Sequence, residues 1–300
     1  MQEAQEWDKR AKQYNATAGD LTIRHSAEAL RLLDLGSLVG EEGREAMVVL
    51  DIACGTGAFA IQAAKELHRL CGGDEMKKGR PHKVIASDFA EAMVFACQAE
   101  AEQQGLQDHV QCLKMDAQDL SAIEDDSVDA IGCVFGAMFF PDPLKAFREM
   151  HRVLRKGGRA AIVVWKQVAT LSLTEQLTKR LRERFLPASS SQGEEAAATS
   201  HSMAAMVYKL AEGETLRNHL EEAGFQQVDS VTTFEADWKG VPINDLTIGF
   251  MMDNHVVKSC YAPEQREEAV QVLKDLLTEE GSEFARPKWT NLSLIALVTK

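Results

Sequence analysis

The sequence predicts an α/β protein with a mostly parallel sheet that is covered by helices on both faces. Strand-like and helix-like segments alternate between residues 47 and 165, which is the pattern of a parallel sheet with crossover helices. The strand-like segments are rich in Val, Ile and Ala and lack a clean polar face, as expected for strands buried on both sides. A chain of 300 residues with 45% hydrophobic content can bury a substantial core.

Five strands are predicted in this region. They are MVVLDIA (47–53), HKVIAS (82–87), HVQCLKM (109–115), SVDAIGCVF (127–135) and GRAAIVVW (158–165). The connecting segments GAFAIQAAKELHRL and FAEAMVFACQAEAEQQ repeat apolar residues at intervals of three and four, which indicates helices. In DPLKAFREMHRVLRKGG, Asp142 is the expected N-cap and Pro143 the first helical residue, while Gly157 and Gly158 are expected to end the helix.

The flanking regions add helices and two more strands. Residues 3–35 have a helical pattern with a break near NATAGD. A helical stretch over 170–186 leads into a loop-like segment at 187–202 that is rich in Ser, Gly, Glu and Ala. A helix ending at Gly224 and a strand follow, and then a helical block over 243–280 precedes the last strand, LSLIALVTK.

Charge and composition exclude several classes of function. The net charge of -13 would repel a polyanion, and no long basic run offsets it, so nucleic acid is not an expected partner. The N-terminal MQEAQEWDKRAKQY has no apolar core, and no stretch reaches the roughly 20 apolar residues of a membrane span, so a cytoplasmic protein is expected.

Cysteine and histidine spacings predict neither disulfides nor a metal centre. The six cysteines are scattered without a C-x-x-C pair, and several fall inside apolar periodic segments. The eight histidines show no H-x-H or H-x-x-x-H spacing. Asp253, Asn254 and His255 in MMDNHVV form one cluster with metal-binding residue types, for which a turn is the favoured interpretation.

The stretch VVLDIACGTGAFAIQAA (48–64) combines an acidic strand end with a glycine loop. Gly55, Gly57 and Ala60 fit the dinucleotide pattern G-x-G-x-x-G/A, which permits an NAD-binding interpretation. Asp51, however, lies four residues before Gly55, where its charge would oppose a pyrophosphate. S-adenosylmethionine carries a sulfonium and an ammonium against one carboxylate, a net charge of about +1, and would be attracted. A cationic ligand is therefore predicted.

VLDIACGTG closely resembles the first motif of the class I S-adenosylmethionine-dependent methyltransferases. VIASDFAEAM resembles their second motif, KMDAQDL the third, and DSVDAIGCVFGAMFFPDPLKAFREMHRVLRKGGRAAIVVW the fourth and fifth, in order over residues 45 to 165. The chain is most similar to the small-molecule type 11 group, which is related to the quinone-biosynthesis C-methyltransferases. The resemblance implies a Rossmann-like seven-stranded sheet with an antiparallel last edge, helical lid insertions, and S-adenosylhomocysteine as a product.

The resemblance also implies the residues of the cofactor site. The loop backbone approaches the amino-acid part of the cofactor, Asp88 accepts the ribose hydroxyls, Asp116 and Ala117 meet the adenine, and Phe135 lies beside the methyl group. Asp88 could instead cap the next helix with Glu91 as its capping-box partner. The implied cofactor-binding residues are Tyr14, Asp51, Ala53, Gly55, Thr56, Gly57, Asp88, Phe89, Met93, Asp116, Ala117 and Phe135.

The acceptor is expected to be a small molecule. The chain has CVFGAMFF where enzymes that methylate base amines carry an Asn/Asp-Pro-Pro-aromatic motif, and it lacks a Pro-Cys nucleophile and the paired glutamates of arginine methyltransferases. Aromatic residues and methionines such as Met138, Phe139 and Trp165 would suit an apolar or aromatic acceptor. Positioning can drive methyl transfer without a protein base. Tyr14 and His25 are candidate catalytic residues, although a surface-helix histidine is the ordinary interpretation of His25.

These inferences predict one methyltransferase domain over residues 1–300. It comprises an N-terminal helical cap (1–45), a cofactor-binding core (46–165), and helical insertions with the last two strands (166–300). Two alternatives stay open: an NAD-dependent oxidoreductase, and a non-catalytic scaffold subunit that keeps the S-adenosylmethionine pocket. Whether the 71–81 and 187–202 loops gate the site, and the oligomeric state, are left open by the sequence.

Overall fold

The computed structural model of the protein contains a seven-stranded sheet. The described residues are 19, 21–39, 46–70, 82–186, 205–238, 248, 251–252, 255–279 and 289–300. The strands are β1 (Val48–Ile52), β2 (Lys83–Asp88), β3 (Val110–Lys114), β4 (Val128–Val134), β5 (Leu154–Gln167), β6 (Gln227–Trp238) and β7 (Trp289–Thr299). Their order in the sheet is β3-β2-β1-β4-β5-β7-β6.

Two helices precede β1, and the others lie between the strands along the chain. They are α1 (21–33), α2 (Leu35–Val39), α3 (Ala58–Leu70), α4 (Glu91–Gln103), α5 (Pro143–Val153), α6 (Ala169–Phe185), α7 (Gly213–Glu222), α8 (His255–Lys258) and α9 (Arg266–Thr278). Two short 3-10 turns cover Ala137–Phe139 and Pro263–Gln265. No helix in the described part of the chain is long and apolar enough to cross a membrane.

The sheet is parallel from β3 to β5 and antiparallel at its other edge. The backbone N–H of Gly157, near the start of β5, donates to the carbonyl of Lys300 after β7, and the Lys300 N–H donates to Gly158. The beginning of β5 therefore meets the end of β7, as an antiparallel pair requires. The predicted seven-stranded sheet with an antiparallel edge is confirmed.

The helix after β4 is shorter than the sequence predicted. Asp142 caps α5 by accepting the Lys145 N–H at 3.0 Å, and Pro143 is its first residue, as expected. The helix ends at Val153, however, because Leu154 is extended and pairs with Val128 of β4. The glycines at 157 and 158 lie inside β5 instead, where an irregular register and the positive φ of 75° at Gly157 mark a bulge.

The chain divides into two compact units, each with its own core. One unit takes its residues from 1–165, 210–234 and 293–300, and it contains most of the sheet with α1 to α5 and α7. The other takes 166–209 and 235–292; it contains α6, α8 and α9, and leucines of α6 and α9 form a separate apolar cluster with Met251 and Met252.

Candidate functional site

A cavity of about 280 Å³ opens at the carboxyl ends of the first four strands. Its walls come from the segments that follow β1, β2, β3 and β4, which is where ligands bind in open α/β sheets. Eight of the residues predicted from the sequence line it: Ala53, Gly55, Asp88, Phe89, Met93, Asp116, Ala117 and Phe135. The structure thus brings together side chains from four separate strand ends.

The loop after β1 contributes Ala53 and Gly55 to the cavity wall. Gly55 has a φ of 52°, and a Cβ added there would meet nothing within 4 Å, so this wall is open towards the cavity. Gly57, with a φ of 94°, lies behind the wall, where an added Cβ would come within 2.8 Å of the Cys97 Sγ. Gly55 leaves room for a ligand, whereas Gly57 is required by the packing of α4.

Asp88 joins the ends of β1 and β2. Its Oδ2 accepts the Gly55 N–H at 3.0 Å and its Oδ1 accepts the Ala90 N–H at 2.9 Å. The predicted capping box is wrong, because the N-cap of α4 is Ala90 and no side chain caps it. The Asp88 carboxylate instead fixes the glycine loop and still faces the cavity, where its further lone pairs can accept hydroxyl donors.

Asp51 lies behind the glycine loop and not in the cavity wall. Its side chain is fully buried, and its Oδ2 accepts the Ala60 N–H in the first turn of α3 at 3.0 Å. Burial raises the pKa of Asp51 well above its usual range, and the negative charge of Asp88 raises it further. The acid of the first motif therefore anchors α3 behind a loop that faces the cavity.

Replacing Asp51 by asparagine tests this placement. A carboxylate whose pKa is raised by folding contributes less stability as pH rises above about 4, because the unfolded state then loses its proton more readily than the native state. Asp51→Asn keeps an oxygen for the Ala60 N–H and removes the charge. We expect a higher melting temperature than wild type at pH 8 and a smaller difference at pH 5, measured by thermal unfolding.

The control is Asp142→Asn, at an exposed helix cap where no burial disfavours the charge. A gain in stability at pH 8 that is equal for the two variants, or a loss for Asp51→Asn, would contradict a buried and destabilised carboxylate at residue 51.

Asp116 and Ala117 follow β3 and are held by Gln118, which the sequence analysis did not single out. The Gln118 N–H donates to the Asp116 Oδ1 at 2.9 Å, and the Gln118 Nε2 lies 3.2 Å from the same oxygen. The Gln118 Oε1 accepts the Asp142 N–H at 2.9 Å, which ties this turn to the start of α5. Gln118 therefore orients the Asp116 carboxylate at the cavity.

The end of β4 forms the opposite wall from Asp116. Phe135 has a φ of 59° and Ala53, at the end of β1, has a φ of 56°, conformations that are uncommon for residues other than glycine. Gly136 lies against Ala53, and a Cβ at Gly136 would overlap the Ala53 Cβ. Residues with strained backbone conformations of this kind are found preferentially at functional sites.

His25 is buried beside this wall, so its interpretation as a surface-helix residue is wrong. Its side chain has no exposed area, and its ring centroid lies 4.8 Å from that of Phe135 and 5.3 Å from that of Trp165. Leu21, His25 and Ala29 are spaced by four residues and all are buried. This helical spacing is the signal that could have predicted the burial of His25.

The remaining predicted residues do not line the cavity or cannot be placed. Thr56 is buried outside the lining, and Tyr14 lies outside the described residues, as do the 71–81 and 187–202 loops. Lining residues outside the predicted cofactor-binding set are Met115, Gln118, Val134, Gly136, Phe139, Phe140 and Pro141, of which Phe139 was expected at the acceptor pocket. All of them follow or end β3 or β4, so the rule for strand ends was the signal that could have identified them.

No metal centre or disulfide is found among the described residues. No group of three or more His, Cys, Asp or Glu residues in this part of the chain could hold a metal ion, and Asp253 and Asn254 fall outside it. Cys54, Cys97, Cys112, Cys133 and Cys260 are free thiols. Burial raises the pKa of Cys133 to about 12, so this thiol stays protonated.

Comparison with known proteins identifies the family. A sequence model of the ubiE/COQ5 methyltransferase family matches residues 38–236. A demethylmenaquinone methyltransferase from Bacteroides fragilis is 27% identical over 60% of this chain and 68% of its own length. A ubiquinone/menaquinone biosynthesis C-methyltransferase from Idiomarina loihiensis is 29% identical over 62% and 69%.

The fold is shared with a solved protein. The crystal structure of a candidate methyltransferase from Bacillus halodurans covers 92% of this chain and 98% of its own, with a TM-score of 0.52 and 17% identity. At this identity the likeness concerns the fold alone. The family match over residues 38–236 carries the assignment further. The chain belongs to the ubiE/COQ5 methyltransferase family, and it transfers a methyl group from S-adenosylmethionine to a small molecule.

Proposed function

We propose that the enzyme methylates a flat, hydroxylated aromatic acceptor of the quinol type. The related proteins from Bacteroides fragilis and Idiomarina loihiensis are named for demethylmenaquinone and for quinone biosynthesis. The cavity of this chain has apolar side chains that would suit a flat ring, among them Met115, Phe135 and Phe139. These observations support a planar apolar acceptor over a charged one.

The charge of the cavity is the observation that carries the assignment of the cofactor site. Asp88 and Asp116 line the cavity, and none of the described residues that line it is a Lys or an Arg. The charged side chains among these described residues are both negative, so they would repel a pyrophosphate and attract a sulfonium and an ammonium. The open side of Gly55 leaves space for a ligand beside the same loop. The residues present therefore fit S-adenosylmethionine better than a dinucleotide.

We assign the parts of the cofactor in the order of the strands. Asp116 and Ala117 after β3 would hold the adenine, and Asp88 after β2 would accept the ribose hydroxyls. Phe89 and Met93 would pack against the adenine side. The backbone after β1, at Ala53 and Gly55, would meet the amino-acid end, and Phe135 after β4 would lie beside the methyl group. Thr56, Gly57 and Asp51 would support this loop from behind.

Methyl transfer depends mainly on how the acceptor atom, the methyl carbon and the sulfur are positioned. When bound, S-adenosylmethionine would supply a methyl group on a positively charged sulfur, which is a good leaving group for transfer to an acceptor atom. The strained backbone at Ala53 and Phe135 fixes the wall near the reacting atoms, and the apolar side chains exclude water. A hydroxylated aromatic ring must also give up a proton when it is methylated, and this proton would pass to a base, either a side chain or water at the mouth of the cavity.

Thermal unfolding with ligands tests the proposed site. S-adenosylhomocysteine and S-adenosylmethionine at about 100 times their dissociation constants should each add about 2.7 kcal/mol of apparent stability. NADH at the same concentration should add nothing. Stabilisation by NADH alone would contradict the charge argument.

Two further parts of the proposal concern the catalytic activity of the protein and its location in the cell. Transfer of a radioactive methyl group to a reduced quinone would distinguish the enzyme from a scaffold that only binds the cofactor. We also propose a cytoplasmic location, which the free cysteines support because reduced thiols are usual there.

A further inference from the structure

His25 carries a buried nitrogen that the methyltransferase assignment does not explain. The imidazole contacts three aromatic rings, those of Phe135, Trp165 and Phe234, at centroid distances of 4.8, 5.3 and 5.0 Å. Its Nε2 has no hydrogen-bond partner among the described residues and no exposed surface. An unpaired polar atom in an apolar enclosure is costly, so its retention calls for a role.

The hydrogen bond at the other nitrogen fixes the tautomer. His25 Nδ1 lies 2.7 Å from the Leu21 carbonyl oxygen, which can only accept, so Nδ1 carries the hydrogen. In the neutral ring, Nε2 then presents a lone pair. Burial lowers the pKa of His25 to about 4, which keeps the ring neutral near pH 7. The unpaired group is therefore a hydrogen-bond acceptor and not a donor.

The imidazole lies one residue away from the cavity. Phe135, whose ring contacts His25, lines the cavity at the end of β4, and the same ring stacks on Trp165 at 3.6 Å. Under the proposed function, this is the end of the cavity assigned to the methyl group. An acceptor that receives the methyl group must approach there and would meet the Phe135 ring first, because His25 does not itself line the cavity. Contact with the His25 lone pair therefore requires a neighbouring ring such as that of Phe135 to move aside.

We propose that His25 binds the methyl acceptor, its Nε2 accepting a hydrogen bond from a hydroxyl of a flat aromatic substrate. The inference rests on the proposed function and adds the substrate feature that is recognised, a hydroxyl on the ring. A site built to pair with a hydroxyl rejects analogues that lack it, because its own polar atom then stays unpaired. A protonated imidazole would repel the sulfonium, so a neutral one suits this position.

The test compares His25→Phe with His219→Phe. Phenylalanine keeps a ring at residue 25 and removes both nitrogens. His219 is a matched control, because its Nδ1 lies 2.8 Å from the Thr215 carbonyl oxygen, the same bond to the residue four positions earlier in a helix. His219 does not line the cavity. The difference between the two variants therefore isolates the buried Nε2.

Binding is measured by calorimetry on the full chain saturated with S-adenosylhomocysteine. The probes are 1,4-naphthohydroquinone, kept reduced without oxygen, and 1,4-dimethoxynaphthalene, in which both hydroxyls are blocked. We expect His25→Phe to lose affinity for the hydroquinone by about tenfold or more, and to bind the dimethoxy compound as wild type does. His219→Phe should match wild type with both probes. Affinity for S-adenosylhomocysteine should change by less than about twofold in either variant.

Thermal unfolding provides a readout that does not depend on the probes. Because His25→Phe removes an unpaired buried acceptor, its melting temperature should be no lower than that of His219→Phe. A much lower value combined with unchanged affinity for the hydroquinone would indicate that His25 serves packing alone and would overturn the proposal.

Other outcomes would also overturn the role of His25. These are equal affinity of wild type for both probes, no binding of the hydroquinone to the wild-type complex with S-adenosylhomocysteine, or no effect of His25→Phe. Failure of wild type to bind S-adenosylhomocysteine would be a different result, since it would overturn the proposed cofactor site itself.

Discussion

Replacing Asp88 by alanine is expected to lower the affinity for S-adenosylhomocysteine by at least about 2 kcal/mol, roughly thirtyfold. The change removes the acceptor for the Gly55 and Ala90 N–H groups at the same time as it removes the proposed partner of the ribose hydroxyls. The glycine loop would lose its link to β2. Calorimetric titration of the purified variant measures the change.

Asparagine at residue 88 should not rescue binding. Its single oxygen can keep one of the two backbone N–H groups, but its amide NH₂ then faces the other donor. The control is Asp142→Ala, which removes a carboxylate that also accepts a backbone N–H at a helix start but does not line the cavity. Asp142→Ala should lower stability by about 1 kcal/mol and leave ligand affinity unchanged. An Asp88→Ala variant with wild-type affinity would restrict Asp88 to a structural role.

The sequence predicted the architecture well because the relevant signals are local and repeated. Buried parallel strands have apolar runs, and the helix start at Asp142 and Pro143 has a strong local signature. The end of that helix was missed because pairing of Leu154 with Val128 depends on a strand 26 positions earlier. Such long-range pairing overrides a local glycine signal.

The candidate site was predicted only in part, because some of its residues have local sequence signals and others depend on contacts between distant parts of the chain. The residues at strand ends could be identified from motif and position, but the bond from Asp88 to Gly55 spans 33 positions and has no local pattern. The positive φ values at Ala53 and Phe135 were also unpredictable, since glycine is the residue that normally indicates them. Asp51 was correctly placed at the strand end, but only the structure shows that its side chain turns away to α3.

Gly136→Ala is expected to damage both the fold and the cavity. The φ of Gly136 is -95°, so alanine is compatible with the backbone, but its Cβ would overlap the Ala53 Cβ across the ends of β1 and β4. Overpacking of this kind typically costs about 1–3 kcal/mol. Because Ala53 lines the cavity, its displacement should also weaken binding of S-adenosylhomocysteine. Chemical denaturation and calorimetry measure the two effects.

A second change at Ala53 should reverse both effects. Ala53→Gly removes the clashing Cβ and suits the φ of 56°, so alone it should be neutral or slightly stabilising. In the double variant Ala53→Gly/Gly136→Ala, most of the lost stability and affinity should return, with a coupling energy of about 1–3 kcal/mol. Gly36→Ala is the control, because the nearest atom to its added Cβ lies at 3.5 Å.

The coupling energy between the changes at residues 53 and 136 distinguishes two explanations for the effect of Gly136→Ala. If the double variant were as impaired as Gly136→Ala, the cost would lie in the backbone after β4 and not in its contact with β1. If it recovers, close approach of these two strand ends shapes the cavity wall. Glycine at residue 136 would then be required because Ala53, in its strained conformation, already occupies the space that a second Cβ would need.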